Sequence, residues 1–138
     1  TGMSTWEIID DAVNVLEKKG GEYAILHCNS TYPAPINELN LKVIPAMKEK
    51  YNCPIGYSGH EFDLEPSVLA VAMGAEIIER HITLDHNMWG SDHLSSLEPS
   101  GLFKLVKGIR DIEKSFIQKT APRYVMQGEV AKRESLRK

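Results

Sequence analysis

The most constraining feature is a pair of matched apolar runs. Cys53-Pro54-Ile55-Gly56-Tyr57-Ser58-Gly59-His60-Glu61 is answered about twenty residues later by Glu76-Ile77-Ile78-Glu79-Arg80-His81-Ile82-Thr83. Each run reads as a short strand ending in a polar cluster that contains a histidine. Only one helix-length segment, Glu65 to Ala75, lies between them. Strand, helix and strand in so short a span make a βαβ unit, which forces the strands parallel. His60 and His81 are therefore expected side by side at the carboxyl edge of a sheet, where α/β folds place their chemistry.

The rest of the chain repeats this alternation. Ser4 and Glu7 have capping-box spacing, and Trp6, Ile8, Ile9, Ala12, Val13 and Leu16 follow at helical spacing until Gly20-Gly21. Tyr23 to Cys28 is a short buried strand, and Asn29 to Pro35 a polar loop stiffened by two prolines. Asn40 is a candidate cap for a second helix running to about Tyr51, with Pro45 confined to its first turn. The third helix starts at Glu65 with Pro66 in its first turn. A long loop, Leu84 to Pro99, reads as mobile. A last helix to Phe116 carries Leu102, Phe103, Leu105, Val106, Ile109 and Ile112 on its apolar face. The charged tail from Ile117 reads as a linker.

This order, α-β-α-β-α-β-α, predicts a parallel sheet with helical crossovers. Three parallel strands alone leave two open edges and an uncovered face, so the chain is expected to be a piece of something longer. Both a doubly wound sheet and a (β/α)8 barrel would supply the missing strands. A net charge of −3 offers no basic surface for nucleic acid, and no apolar run approaches a membrane span. Two cysteines, each in or beside a strand, suit a reduced, cytoplasmic protein.

Strand parity selects the candidate chemistry. If His60 faces the site, so do Ser58 and Gly56, while Ile55 and Tyr57 face helices. If His81 faces inward, so do Glu79 and Ile77. Two neutral imidazoles suit a borderline divalent ion and leave open positions for water and substrate. Glu79 is placed to orient His81 or a metal-bound water. The alternative is that both histidines are merely polar residues in a wet rim. Ser30, Ser58 and Thr1 lie on strand-to-helix turns at the same edge, where hydroxyls and backbone N–H groups can cradle an anion. Tyr32 reads as a packed loop aromatic or a ligand contact, and Asp92 as a sugar-hydroxyl acceptor or a turn cap. His27, of opposite parity to Cys28 and Ser30, reads as structural, and His86 as solvated.

Five segments taken together resemble the sialic acid synthase family, the N-acetylneuraminate and N-acylneuraminate-9-phosphate synthases. They are Thr1-Gly2-Met3, His27 to Pro33, Ile55 to Glu61, Glu79 to Asp85 and Gly90-Ser91-Asp92-His93. The resemblance implies the last three βα units of a (β/α)8 TIM barrel over residues 1–117. Residues 118–138 would then be a linker toward an antifreeze-like domain. It implies condensation of phosphoenolpyruvate with the open-chain aldehyde of an N-acylmannosamine or its 6-phosphate, releasing phosphate. His60 and His81 would hold a divalent ion, most typically Mn2+, with Mg2+ or Co2+ as alternatives. By the resemblance Ser58 and Ser30 would bind phosphoenolpyruvate, and Tyr32 and Asp92 the sugar; Thr1 joins the phosphoenolpyruvate set, and Glu79 is the candidate catalytic group, from their places at the strand ends alone.

Gly59 departs from the aspartate of many bacterial members and is more like the animal 9-phosphate synthases, which favours a phosphorylated acceptor. The family's early strands bring a catalytic glutamate and two lysines that these residues lack, so the chain by itself is expected to be inactive. The full-length enzyme is expected to be a homodimer. Another phosphoenolpyruvate-condensing 3-deoxy-sugar-acid synthase and a non-catalytic sugar- or metal-binding fragment are the competing readings.

Overall fold

A computed structural model of the chain describes residues 1–116 and 124–137. The elements are α1 (Trp6–Lys19), β1 (Ile25–Cys28), α2 (Val43–Lys50), β2 (Ile55–Gly59), α3 (Glu65–Ala72), β3 (Ile77–Arg80), α4 (Pro99–Ser115) and α5 (Val130–Leu136). The three strands form one parallel sheet in the order β1-β2-β3. Ile25 is opposite Ile55 and Cys28 opposite Ser58. Gly56 is opposite Ile77 and Ser58 opposite Glu79.

Alternation along the strands divides the sheet into two unlike faces. Ile25, Ile55 and Tyr57 point into one core with Ile9 and Val13 of α1, Ile44 and Met47 of α2, and Ala70 of α3. Gly56, Ser58, Ile77 and Glu79 occupy the other face, where Ile77 and Glu79 are exposed. Gly56 allows the strands to approach closely there. A Cβ at this position would fall 2.8 Å from the Ile77 carbonyl oxygen and 2.9 Å from Leu26 Cγ.

Most boundaries fall near those expected, and the exceptions have local causes. The first helix has Thr5, not Ser4, at its N-cap position, with no side-chain capping bond, and ends at Gly20 in the left-handed conformation. Asn40 does not cap α2. It takes φ 44° in a turn whose carbonyl accepts from Val43 N, and the helix begins three residues later. Asn tolerates that conformation because its short polar side chain bonds locally. Pro45 sits in the first turn of α2, as required. Strand β1 starts at Ile25 and β3 stops at Arg80, each shorter than its apolar run, and α3 ends at Ala72 rather than Ala75.

The segment after β3 is more ordered than its composition suggests. Ile82 bridges Leu97, and His93–Ser95 form a 3-10 turn. Helix α4 packs against α3 but buries only Leu105, leaving Leu102, Phe103 and Val106 exposed. The expected linker lies partly outside the described residues. Within them, Gln127–Glu129 and α5 are helical. None of the described helices is long and apolar enough to cross a membrane.

Candidate functional site

The carboxyl ends of β2 and β3 bring the two histidines together. Their ring centroids are 5.3 Å apart at an interplanar angle of 62°. His60 lies in the tight turn after β2 and is only 5% exposed. Its Nδ1 is 2.6 Å from the Asn29 carbonyl oxygen. A carbonyl only accepts, so Nδ1 is the donor in this bond, and Nε2 is the nitrogen that a neutral ring would offer as acceptor. Nε2 points toward the Tyr32 hydroxyl at 3.3 Å and Ser58 Oγ at 3.4 Å.

Tyr32 closes the group from the β1 side. Its ring stacks on His60 with centroids 4.1 Å apart and meets His81 edge-on at 5.7 Å. Partial desolvation, followed by the charges of Cys28, Asp92 and Glu79, raises the Tyr32 phenol above its ordinary value. Asp92 is therefore within electrostatic reach of Tyr32. Its nearest hydrogen bonds are local, however: Ser91 Oγ donates to Asp92 Oδ1 at 2.7 Å, and Ser96 Oγ to the Asp92 carbonyl at 2.7 Å.

Ser58 donates to Glu79 Oε1 at 2.8 Å across the β2–β3 ladder. Glu79 is thus bonded to the serine rather than to His81. Ser30 lies beside Gly2, where an added Cβ would come within 2.9 Å of its Oγ. Thr1 runs along the outer edge of β1, its amino group donating to the Leu26 carbonyl at 2.8 Å. The structure thus links Glu79, Ser58, His60, Tyr32 and His81 in one connected group, Glu79 through Ser58. Ser30, Thr1 and Asp92 stand at the margins.

As a metal centre the donor set is sparse: two imidazoles converge at the strand ends. No cluster of three or more His, Cys, Asp or Glu side chains suited to a metal occurs among the described residues. The arrangement fits an open two-histidine site, completed by water or substrate oxygens, and not a closed structural one.

Two other histidines bear on the sequence reading. His27 is structural, its Nε2 donating to the Leu39 carbonyl at 2.7 Å. Burial holds its pKa below the ordinary value, partly opposed by that bond. His86, read as solvated, is partly exposed but has protein partners for both ring nitrogens. Its Nε2 is 2.8 Å from the Ser96 carbonyl, and its Nδ1 lies 3.4 Å from Glu98 Oε1.

Sequence reasoning passed over Cys28 and the pair Glu61–Arg80. Cys28 Sγ is 3.8 Å from His60 Nδ1. Parity alone assigned Cys28 to the site face, and the pairing of β1 with β2 brings it within reach. Glu61 and Arg80 form a buried ion pair behind the sheet at 3.2 Å, with 0% and 2% side-chain exposure. The signal available for this pair was a charged residue flanking each histidine. Nothing in the sequence says that the two meet.

The deciding comparison is at family level: residues 1–121 match the NeuB family. This chain belongs to the NeuB family. It is 46% identical over 118 residues to the N,N'-diacetyllegionaminic acid synthase of Campylobacter jejuni, a match covering 83% of this chain and 35% of that protein. It is 40% identical over 116 residues to the human N-acetylneuraminate-9-phosphate synthase, covering 83% and 32%. The crystal structure of N-acetylneuraminic acid (sialic acid) synthetase from Leptospira borgpetersenii superposes with a TM-score of 0.85 at 41% identity, covering 99% of this chain and 48% of that one. The chain therefore spans about a third of the length of the curated relatives it matches. Its α/β fold with a parallel sheet is similar to that of a sialic acid synthetase, and its homologues are sialic acid-type synthases.

Proposed function

We propose that these residues are the last three βα units of a (β/α)8 barrel. In this reading the full-length protein condenses phosphoenolpyruvate with the open-chain aldehyde of an N-acylmannosamine or its 6-phosphate. The products are a nonulosonic acid and inorganic phosphate. The observation that carries this reading is the convergence of His60 and His81 at the strand ends, within motifs that run in register with a family of sugar-acid synthases.

His60 and His81 would hold a divalent ion, Mn2+ by preference, through His60 Nε2 and the His81 ring. Bound there, such an ion supplies Lewis acidity to the aldehyde oxygen. Tyr32 and Asp92 orient the sugar hydroxyls, and the Tyr32 ring excludes water from the His60 side. Ser58 and Ser30, with Thr1 at the margin, donate to the carboxylate and phosphate of phosphoenolpyruvate. Glu79, bonded to Ser58, holds or releases a proton beside the reacting aldehyde. By itself this segment offers only part of such a site, and a pure sample of residues 1–138 is expected to show no turnover. The reading also puts the full-length enzyme in the cytoplasm as a homodimer.

The test is phosphate release from phosphoenolpyruvate by the full-length polypeptide, with and without Mn2+. N-acetylmannosamine, its 6-phosphate, mannose 6-phosphate and a 2,4-diacetamido sugar are the acceptors. Metal-dependent release with one acceptor is expected and names the substrate. No release with any of them, from folded metal-loaded protein, overturns the reading.

A further inference from the structure

The turn that carries His60 is fastened from behind the sheet. Glu61 directly follows His60, and Arg80 directly precedes His81, so each histidine has one member of the pair as its chain neighbour. Arg80 Nη1 donates to Glu61 Oε1 at 3.2 Å, to Ser67 Oγ at 3.0 Å and to the Asp63 carbonyl at 3.0 Å. Its Nη2 donates to the Glu61 carbonyl. Tyr57 donates to Glu61 Oε2 at 2.8 Å, and Ser67 Oγ to Oε1 at 3.2 Å. The end of β2, the turn after it, the first turn of α3 and the end of β3 are thus tied at one carboxylate and one guanidinium.

Such a network is a poor device for stability alone. Burying both charges costs several kcal/mol per ion in desolvation, and apolar replacements of similar volume are often neutral or better. Among the described residues, Arg80 Nε is left buried without a partner. What the network provides is geometry. A forked guanidinium that satisfies acceptors on two segments fixes their separation and direction. Gly59 is shaped to the same purpose. A Cβ there would lie 2.9 Å from Arg80 Cδ and 2.9 Å from each carboxylate oxygen of Glu61. These groups are enclosed and bonded on several sides and cannot swing away cheaply.

We infer that the Glu61–Arg80 pair is a positioning device for the His60–His81 centre, setting the approach of the two imidazoles from the opposite face of the sheet. The inference rests on the metal-holding reading of the histidines proposed above. Glu61 and Arg80 touch neither ligand nor substrate in this account. They act through the turn and the strand end on which the histidines stand.

The test is Mn2+ affinity of the full-length protein, read by electron paramagnetic resonance of the free ion, alongside thermal unfolding. Arg80→Lys keeps the charge but loses the fork. It is expected to weaken Mn2+ binding about 10- to 100-fold, the range found when partners of metal ligands are changed. Glu61→Gln is expected to do the same where it folds. Tyr57→Phe, which removes a single hydroxyl, is the milder variant and is expected to weaken binding by a smaller factor in the same direction. Met47→Ala, a core truncation in α2 away from the pair, is the control and is expected to lower the melting temperature with Mn2+ affinity unchanged. The positioning role is overturned if folded Arg80→Lys and Tyr57→Phe bind Mn2+ as the wild type does. It is equally overturned if Met47→Ala weakens binding as much as they do. Failure of the wild type itself to take up Mn2+ removes the metal reading, and the positioning role with it.

Discussion

The turn that follows β2 and the loop that follows β3 leave the same edge of the sheet, and they are held in different ways. After β2, every residue from Ile55 to Glu61 is buried, and the turn is bonded to β3, α3 and the loop after β1. After β3, the loop is held by bonds within itself: Thr83 Oγ1 to His93 Nδ1 at 2.8 Å, Asn87 to Asp85, and Ser96 to Asp92. Its Trp89 is fully exposed. A group that must hold one geometry is anchored to several elements, because each added tertiary bond removes a degree of freedom from the turn. A group that contacts a variable acceptor can stand on a locally closed loop, whose shape can change without disturbing the sheet.

Substitutions on the two sides test this contrast. The largest effect is expected from the histidines. His60→Ala or His81→Ala in the full-length protein should remove metal-dependent phosphate release, with at least a roughly 100-fold loss of Mn2+ affinity. Retention of both activity and affinity would show that the ligand assignment is wrong. Next comes Glu61→Leu, which leaves Arg80 buried and unpaired. Denaturant unfolding should show a loss of about 3–5 kcal/mol. Asp92→Ala, in the self-bonded loop, should change stability by no more than about 0.5 kcal/mol while raising the KM for the sugar. Equal stability losses at Glu61 and Asp92 would abolish the distinction drawn here.

Gly59→Ala tests the crowding beneath the turn and is expected to destabilise by about 1–3 kcal/mol, as overpacking does. In a Glu61→Ala background, itself destabilised, Gly59→Ala should cost less than in the wild type, because the carboxylate it strikes is gone. The smallest effect concerns pH. His27 is disfavoured in its charged form when folded, so its contribution to stability is present above the unfolded pKa of about 6.5 and is lost as pH falls below it. His27→Gln should therefore flatten the fall in melting temperature as the pH drops below about 6.5, relative to the wild type. Parallel slopes would show that His27 carries none of it.

The sequence by itself determined the alternation of elements, the parallel sense of the strands and the shared edge on which His60 and His81 emerge. These follow from hydrophobic periodicity, from the shortness of the crossover and from strand parity, all local properties of the chain. Parity also placed Ser58 and Glu79 on one face, and the structure joins them by a hydrogen bond. The last turns of strands and helices were legible only approximately. The start of α1 after Thr5 and the left-handed turn at Asn40 depend on how the packed helices meet the chain before them, which periodicity does not specify.

Tertiary structure alone decided which ring nitrogen of His60 donates, which is set by a carbonyl 31 residues away in the chain. It decided that Tyr32, although 43% exposed, stacks on that ring. It also joined Glu61 to Arg80 across 19 residues. Each of these is a contact between segments distant in sequence, fixed by the register of neighbouring strands and by the space behind the sheet. Neither quantity is carried by the periodicity of any one segment.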